Sequence, residues 1–409
     1  MGTPTIIERE FSLEEAEQRI LADLSRLGLS VETQTQDQHV VAVQACLSAP
    51  GHPRLARGAG KGDAHQARVG ALYEALEHYL SEHSTTVDVH FVNSKYFADT
   101  PMLADDDLLS LISQQTQAVT ACRRYTDLQR QTAFYYPITL CHPGYQAPAP
   151  DTTDYRTLRR YASNSGTAIG ASHDEALLHA INECIERDAL SLFLLDQFYY
   201  ENRSPLRRVE RSPDEGALEQ LWSAAEAEVG GEIVVLDISN EFLPRTFLAF
   251  STIACEHPKI FGSGCSLDAR HAASRALTEL VQLHHATTQA QTRDELDNAQ
   301  RHLKLFPRLR RCLQCNVQPL LDLCPQSRLR LSEPAVELPL AEQITLLADD
   351  LHDKGLTVGV AQLHRTDLGT TLVNVVIPGL EHFFVVSSGN VVTAHSRGRR
   401  LEKTAGPGS

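Results

Sequence analysis

Long apolar runs are missing from this 409-residue sequence. No uncharged apolar stretch approaches the roughly 18 residues that a membrane-spanning helix needs. The N-terminus, residues 1–19, is polar and acidic where a secretory signal would have an apolar core. Basic residues are also in the minority, since 37 Lys and Arg against 52 Asp and Glu give a formal net charge of -15. A chain this acidic binds nucleic acid or anionic membranes poorly. We therefore expect a cytoplasmic protein without nucleic-acid or membrane partners.

A disulfide framework is missing as well. The nine cysteines are odd in number and scattered along the chain, unlike the paired cysteines of small secreted proteins. Cys312 and Cys315, with Cys324 nearby, hint at a metal site, but no second close pair completes a tetrahedral set of zinc ligands. We predict free thiols in a reducing compartment.

A repeated pattern is present instead, in which a glycine-rich segment leads into a helix. The glycine-rich segments are 58–62, 163–170 and 262–266, and the helices predicted after them are 64–83, 174–198 and 269–286. Two of these helices carry a pair of glutamates three residues apart, Glu74 with Glu77 and Glu183 with Glu186. This spacing places both carboxylates of a pair on one side of the helix. The pattern predicts a mixed α/β fold of repeated strand, glycine-loop and helix units.

The rest of the chain predicts a single domain over residues 1–395. A helix beginning at a capping box formed by Ser12 and Glu15, and strands up to residue 57, are expected as an integral part of it, with the core motifs at 58–385. Further strands are predicted at 29–35, 40–47, 87–92, 136–141, 232–237, 247–254, 358–362, 371–376 and 383–386, and further helices at 102–116 and 341–354. Residues 396–409 are predicted to be a flexible C-terminal tail.

Crowded carboxylates beside glycine-rich segments indicate a nucleotide bound with magnesium. Glycine loops that open helices present backbone N–H groups that favour phosphate. Carboxylates repel phosphate unless a divalent cation lies between them, and five are candidates here: Glu74, Glu77, Glu175, Glu183 and Glu186. The cations that would neutralise the remaining phosphate charge are Lys61, Arg187 and Arg275. Segment 58–62 does not match the Walker pattern, so no P-loop is predicted.

Each of these residues also has a purely structural interpretation. Glu175 with Ser172 fits a helix cap, and Glu183 with Arg187 is an ordinary i,i+4 ion pair, as is Arg275 with Glu279. A lone lysine such as Lys61 is typical of exposed loops. The repetition of the pattern favours a functional site over these separate explanations.

Several motifs follow one another in a fixed order. They are Gly60-Lys61-Gly62; Glu74 and Glu77 after Ala71; Ser163 to Gly170; Glu183, Glu186, Arg187 and Asp188; Arg275, Glu279 and Gln282 after Gly264 and Asp268; and Pro378 to Glu381. In this order, over roughly residues 55–385, they resemble the YcaO-domain family. The resemblance implies the YcaO fold around an ATP site, and an ATP- and Mg²⁺-dependent enzyme. A nucleophile adds to a peptide amide carbonyl, and the resulting oxygen is phosphorylated and expelled.

The resemblance also implies roles for residues. Those that would hold Mg²⁺ are Glu74, Glu77, Glu183 and Glu186, and those that would contact ATP are Lys61, Glu175, Arg187, Arg275, Glu279 and Gln282. No separate catalytic residue is implied. Three positions depart from the family pattern: Ala71 and His78 stand where the first motif commonly has Ser and Arg, and Ser266 where many members have His. The C-terminus, which ends at Ser409, lacks the proline-rich motif of many azoline-forming members.

Three functions fit the resemblance. The first is an azoline-forming cyclodehydratase, similar to the D proteins. It would act on Cys, Ser or Thr of a ribosomally synthesised (RiPP) precursor peptide, as in thiazole- and oxazole-modified bacteriocins. Since no separate leader-binding region precedes the motifs, it would need a leader-binding partner of the E1-like or RiPP-recognition kind, with a flavin dehydrogenase for oxidation to azoles. The second is a thioamide synthase with an external sulfur donor and a TfuA-like partner. The third is a catalytically idle scaffold subunit. The expected assembly is a homodimer or a hetero-complex.

Overall fold

Helices and strands alternate along the part of the chain that the computed structural model describes, residues 8–36, 40–83, 88–212, 216–253, 260–287, 289–331 and 338–402. The α-helices are α1 (Leu13–Arg26), α2 (Ala64–His83), α3 (Lys95–Asp99), α4 (Asp107–Ser113), α5 (Ile138–Cys141), α6 (His173–Leu194), α7 (Ala217–Val229), α8 (Ala269–Ala286), α9 (Ala290–His302), α10 (Pro307–Gln314), α11 (Leu320–Leu323), α12 (Leu340–Asp353) and α13 (Ser396–Arg399). The strands are β1 (Ser30–Gln36), β2 (Val41–Ala49), β3 (His52–Gly62), β4 (Val89–Asn93), β5 (Val119–Asp127), β6 (Ala133–Pro137), β7 (Thr167–Gly170), β8 (Leu206–Val209), β9 (Ile233–Asp237), β10 (Arg245–Ser251), β11 (Phe261–Ser266), β12 (Gln326–Leu329), β13 (Gly359–Arg365) and β14 (Thr371–Val376). This mixture confirms the predicted α/β class.

The described strands form three sheets. The first has the order β1-β2-β3, the second β4-β5-β13-β14-β7 with β6 alongside β5, and the third β11-β10-β9-β8-β12. Neighbouring strands run antiparallel, apart from the parallel pair β8 and β12. Because β13 and β14 lie between β5 and β7, the second sheet joins distant parts of the chain.

Three strand-to-helix units repeat in this architecture: β3 with α2, β7 with α6, and β11 with α8. Each strand passes into its helix through one or two residues. The glycines of these strands allow the helix to rest directly on the strand. A Cβ on Gly60 would lie 1.8 Å from the Ala67 carbonyl oxygen, and one on Gly262 would lie 2.1 Å from that of Ala276. No side chain fits at these distances, so close helix-to-strand packing requires glycine at both positions.

The prediction of glycine loops is therefore wrong for 58–62, 262–266 and 167–170, which are strands, although the repeat itself is present. Residues 163–166 do form a loop. Residues 58–62 and 262–266 pair with β2 and β10, and 167–170 pair with β14. On one side the backbone of these strands pairs with a neighbouring strand, so alternate N–H groups are engaged in the sheets. The glycines recur at every second residue, 58 and 60 or 262 and 264, because alternate residues lie on the same face of a strand.

The N-terminal elements pack on α2. Helix α1 begins at the predicted capping box, in which Ser12 Oγ accepts the Glu15 N–H and the Glu15 carboxylate accepts the Ser12 N–H. Its apolar face packs against α2 and the first sheet through Ile20 and Leu24. The Tyr73 hydroxyl donates to the Ala16 carbonyl oxygen at 3.1 Å. A single domain over residues 1–395 is consistent with this packing and stays a prediction.

Helix α6 is the most enclosed of the three unit helices. Its apolar residues pack against β14 and α12, with Ile181 and Ile185 fully buried in that cluster. Polar residues on its other faces are buried too: Asn182, Glu186, Asp188 and Ser191. Because a buried polar group is costly without partners, these four positions indicate where the helix meets other polar groups.

Two predicted strands are wrong. Strand β6 ends at Pro137, which has no N–H to continue the pairing, and residues 138–141 turn into α5. The apolar run at 383–386 forms a 3₁₀ helix, Phe383–Ser388, that buries Phe383 and Val386 in the core and ends at Gly389.

The prediction of a flexible tail from residue 396 is also wrong for residues 396–402, which include α13 and the firmly bonded Arg397. Residues 403–409 lie outside the described ranges. None of the helices in those ranges combines the length and apolar character needed to cross a membrane.

Candidate active site

The two acidic pairs meet at the start of the second unit. Glu77 of α2 accepts the backbone N–H of Ile169 in β7 through Oε2 at 3.0 Å. Glu183 of α6 accepts the N–H of Gly166 through Oε2 at 3.3 Å. The loop and strand 166–169 thus lie between the two helices and bring one carboxylate from each pair to the same place.

Polar contacts between the three units close a ring, here called the inter-unit ring. In each contact, a helix of one unit meets the strand of the next. The contacts are Glu77 of α2 with Ile169 of β7 (3.0 Å), Glu186 of α6 with Ser263 of β11 (2.6 Å), and Glu279 of α8 with Lys61 of β3 (2.7 Å). All the helices that carry predicted site residues therefore face a common centre.

Negative charge is concentrated in this ring. Burial raises the pKa of Glu77 well above its ordinary value, and the carboxylates of Glu183 and Glu74 raise it further. Burial also raises the pKa of Glu183, with Glu186 adding to the effect, and it raises the pKa of Glu74. Raised pKa values in neighbouring acids mean that their ionised forms lack sufficient positive charge nearby. A bound cation would relieve this shortage.

Two cations partly compensate the acids. Arg187 lies 3.5 Å from Glu183, and the acids Glu186, Glu183 and Glu279 raise its pKa despite its burial. Burial favours the neutral acid of Glu279, but Lys61 and Arg187 outweigh it and lower its pKa. The Lys61 and Glu279 side chains are each about one fifth to one quarter exposed, so both remain open to a ligand.

Arg275 lies on α8, one turn before Glu279. Its Nη1 is 3.1 Å from His179 Nδ1 of α6, and its buried Nε has no hydrogen-bond partner. Burial and the charge of Arg275 lower the pKa of His179 well below the usual value. The imidazole is therefore neutral at neutral pH and can accept from the guanidinium. An arginine with an unpaired buried N–H is suited to an anionic ligand.

Two of the predicted ATP contacts have other partners. The oxygens of Glu175 accept the backbone N–H groups of Glu10 at 2.7 Å and Ala171 at 3.2 Å, so this buried side chain fastens the N-terminal segment to α6. These bonds give the Glu175 carboxylate a structural role, and its predicted contact with the nucleotide stays a prediction. Gln282 Nε2 donates to the carbonyl oxygen of Ala59 at 2.7 Å and so strengthens the contact between α8 and β3.

His78 stands at the exposed end of the first acidic pair. Its Nε2 is 4.0 Å from Glu74, and its Nδ1 is 2.5 Å from the carbonyl oxygen of Arg57. The Glu74 side chain is 41% exposed, so this edge of the site is open to solvent. The pair Glu74 and Glu77 therefore has only His78 at 4.0 Å, whereas the pair Glu183 and Glu186 has the permanently charged Arg187 at 3.5 Å.

A buried polar group that the sequence did not assign lies directly behind the α6 pair. Asp188 is fully buried and bonds to Arg397, Asn240 and the backbone N–H of Glu381. Its place in the motif after Arg187 was visible in the sequence, but its partners are 52 to 209 residues away. Beside it lies a small cavity of about 40 Å³ whose lining includes Arg187, Cys184 and Glu381.

Residues 59–381 match a family described as YcaO cyclodehydratase, ATP- and Mg²⁺-binding. One curated relative is an uncharacterized protein from the tfuA 3' region of Rhizobium leguminosarum bv. trifolii, 27% identical over 231 residues, or 54% of this chain and 52% of that protein. Another is an uncharacterized protein of Methanothermobacter thermautotrophicus, 26% identical over 349 residues, or 80% of this chain and 82% of that protein. The chain thus spans about half the length of the Rhizobium relative.

Solved structures share the fold. The structure of YcaO from Methanopyrus kandleri, bound with AMPPCP and Mg²⁺, has a TM-score of 0.68 at 17% identity and covers 95% of this chain and 97% of that one. A heterocyclase in complex with substrate and cofactor has a TM-score of 0.64 at 19% identity, covering 92% of this chain and 53% of that one. ATP and Mg²⁺, the cofactors expected from the acidic pairs, are those of the matched family. Because that match runs from the Lys61 strand to Glu381, this protein belongs to the YcaO family.

Proposed function

We propose that this protein uses ATP and Mg²⁺ to activate the oxygen of a peptide backbone amide. The observation that carries the proposal is the inter-unit ring. It gathers the carboxylates of Glu77, Glu183 and Glu186 beside the cations Lys61 and Arg187. This arrangement matches the two components of magnesium nucleotide. The carboxylates suit the metal, and the cationic side chains suit the anionic phosphate chain.

The donor set fits magnesium. Mg²⁺ prefers hard oxygen ligands and is usually held by one or two carboxylates together with phosphate oxygens and water. Among the described residues, no three Asp, Glu, His or Cys side chains lie close enough to enclose a metal ion by themselves. Phosphate oxygens and water would therefore complete the coordination of each ion, and Glu74, Glu77, Glu183 and Glu186 would serve as ligands without all four meeting at one ion. Burial raises the pKa values of Glu77, Glu183 and Glu74, neighbouring carboxylates add to it, and a bound cation would favour the ionised forms.

The cationic side chains have a separate task. Arg187 and Arg275 would neutralise phosphate oxygens, and Lys61 would do so after exchanging Glu279 for the ligand. Bound magnesium ATP supplies the phosphoryl group that turns an amide oxygen into a good leaving group. The chain's residues hold the nucleotide, spread its charge and fix its orientation toward the peptide.

Azoline formation is the first candidate for the overall reaction, in line with the cyclodehydratase description of the matched family. A Cys, Ser or Thr side chain of a precursor peptide would attack the preceding carbonyl, and one water would be lost overall. A leader-binding partner and a flavin dehydrogenase belong to this proposal. A heterocyclase solved in complex with substrate and cofactor shares this fold.

Thioamide formation is the second candidate. The observation that favours it is the relative from the tfuA 3' region. In this reaction an external sulfur donor attacks the carbonyl, and sulfur replaces the amide oxygen. A TfuA-like partner belongs to this proposal. Both candidates share the activation step, in which the amide oxygen leaves with phosphate. An idle scaffold is disfavoured by the intact acidic pairs.

Isotope transfer tests the shared step. The protein is incubated with ATP, Mg²⁺, the precursor peptide encoded beside its gene and the neighbouring gene products, with heavy oxygen in the peptide's backbone carbonyls. The proposal predicts heavy oxygen in the released phosphate. The mass of the peptide then separates the candidates, because azoline formation removes one water per site and thioamide formation exchanges oxygen for sulfur.

A matched pair of variants controls this experiment. Glu186→Gln should abolish the transfer, whereas Glu14→Gln, which alters an exposed acid on α1, should leave it unchanged. Phosphate released without heavy oxygen while the peptide is modified would contradict the proposed activation.

A further inference from the structure

The C-terminal segment, residues 394–402, is fastened to the helix that carries the second acidic pair. Arg397 donates from Nε to Asp188 Oδ1 and from Nη2 to Asp188 Oδ2, both at 2.8 Å. Asp188 is fully buried, and the Arg397 side chain is 14% exposed. A two-fold arginine–carboxylate contact inside a protein is both strong and directional. The segment is therefore held at one defined position on α6.

The same carboxylate holds a second stretch of chain. The backbone N–H of Glu381 donates to Asp188 Oδ1 at 2.8 Å. The Glu381 side chain in turn accepts the backbone N–H groups of His395 and Gly398, each at 2.9 Å. Residues 381 and 394–398 are thus braced against each other and against α6.

The stretch of chain that follows Glu381 contacts Arg187. The aromatic ring of Phe384 lies 5.5 Å from Arg187 Cζ, and the Phe384 N–H donates to Ser191 Oγ of α6 at 2.8 Å. An aromatic face at this distance attracts a guanidinium and supports its orientation. Phe384 follows Glu381 by three residues, so the bond of Glu381 to Asp188 and the bond of Phe384 to Ser191 hold this stretch on α6 at both ends.

Space for movement exists beside Arg187. The cavity of about 40 Å³ has Arg187 and Cys184 on one side and Glu381, His382 and Phe384 on the other. This volume holds only a few water molecules, so the guanidinium cannot turn far while the segment is in place. If the segment moved, the cavity would widen and Arg187 could turn away from the acidic pair.

We propose that Asp188 and Arg397 form a latch that positions Arg187 for the nucleotide phosphates. The proposal rests on the phosphate role given to Arg187 above. Arg397 contacts Asp188 and Glu241 rather than the acidic pairs, so it acts as a positioning residue. The C-terminal segment would thereby set nucleotide affinity from behind the site.

AMPPCP binding in the presence of Mg²⁺, measured by calorimetry, tests the latch. Arg397→Met should weaken binding about tenfold, and Phe384→Leu, which removes the aromatic support without touching the latch, should weaken it by a similar factor. Arg399→Met is the matched control, because this neighbouring arginine bonds to Asp107 of α4 at 2.9 Å instead of to α6. Its affinity should stay within about twofold of the wild type.

A variant with both charges removed separates positioning from folding. Arg397→Met leaves Asp188 buried without its cation, which destabilises the fold. The double variant Asp188→Asn with Arg397→Gln leaves no buried charge unpaired, because Glu241, which also loses Arg397, is half exposed. It should melt near the wild-type temperature and still bind AMPPCP about tenfold more weakly. Wild-type affinity in this folded double variant, or an equal loss in Arg399→Met, would overturn the latch alone. Absence of AMPPCP binding by the wild type would overturn both the latch and the proposed function.

Discussion

The two acidic pairs look alike in sequence but differ in their surroundings. Each acid of the pair on α6 has a side-chain partner, since Glu186 bonds to Ser263 and Glu183 pairs with Arg187. Asp188 of the same helix is bonded to Arg397. The pair on α2 is held by backbone groups, Ile169 at Glu77 and Ala59 at Glu74, while Glu74 is 41% exposed beside His78. The difference indicates that α6 is the fixed half of the site and α2 the half completed by ligand.

The largest effect is expected from the fixed half. Changing Glu183 and Glu186 together to Gln removes the two proposed metal ligands of α6 without changing side-chain shape, and we expect kcat/KM for ATP hydrolysis to fall about 10³-fold. The melting temperature of the ligand-free variant should equal or exceed that of the wild type, because like charges have been removed. A variant that is both folded and active would show that α6 does not hold the metal.

The support behind α6 should be visible in the pH dependence of stability. Burial raises the pKa of Glu381 to about 7, with the charge of Asp188 adding to the effect. Below pH 4.5 the acid is protonated in both folded and unfolded chains. As the pH rises from there to about 7, the Glu381 carboxyl group ionises readily in the unfolded chain but stays largely protonated in the folded one. The free energy of unfolding therefore falls.

Glu381→Gln removes this titration. The stability of the wild type relative to this variant should decline by about 3 kcal/mol between pH 4.5 and 7 and then level off. Denaturant melts of both proteins across this range measure the difference. A difference that does not change with pH would mean that Glu381 is not buried as an acid behind α6.

A smaller effect is expected from the open half. Glu74→Gln should lower kcat/KM for ATP about tenfold, because Glu74 is half exposed and its place as a ligand can be taken by water. The same assay applied to Glu77→Gln should give the larger loss of the two. Equal losses at Glu74 and Glu186 would show that the two halves contribute alike.

The smallest effect concerns His78. Replacing His78 by Arg restores the cation usual in the first motif, four residues after Glu74. We expect the KM for ATP to fall about two- to threefold, the size of an exposed i,i+4 pair. His78→Gln serves as the control and should leave the KM unchanged. A fall in the KM for ATP much greater than threefold in His78→Arg would mean that the α2 half of the site limits activity.

Helix positions were largely predictable from the sequence, and α1 most clearly, because its apolar periodicity runs from the Ser12 capping box to a stop at Gly28. The glycine segments were misjudged, since glycine signals both loops and close packing, and only the partner helix distinguishes the two. The structural partner of Glu175 could not be predicted from the sequence, because Glu10 lies 165 residues away. The link between Asp188 and Arg397 spans 209 residues and has no local signal.

The most direct test of the central claim is a calorimetric titration with AMPPCP, with and without Mg²⁺, on the wild type and on the variant in which Glu183 and Glu186 are both Gln. If the acidic pairs hold magnesium for the nucleotide, the wild type will bind AMPPCP tightly only with Mg²⁺, and the variant will lose this dependence together with most of its affinity. Equally tight binding without Mg²⁺, or unchanged binding by the variant, would contradict it.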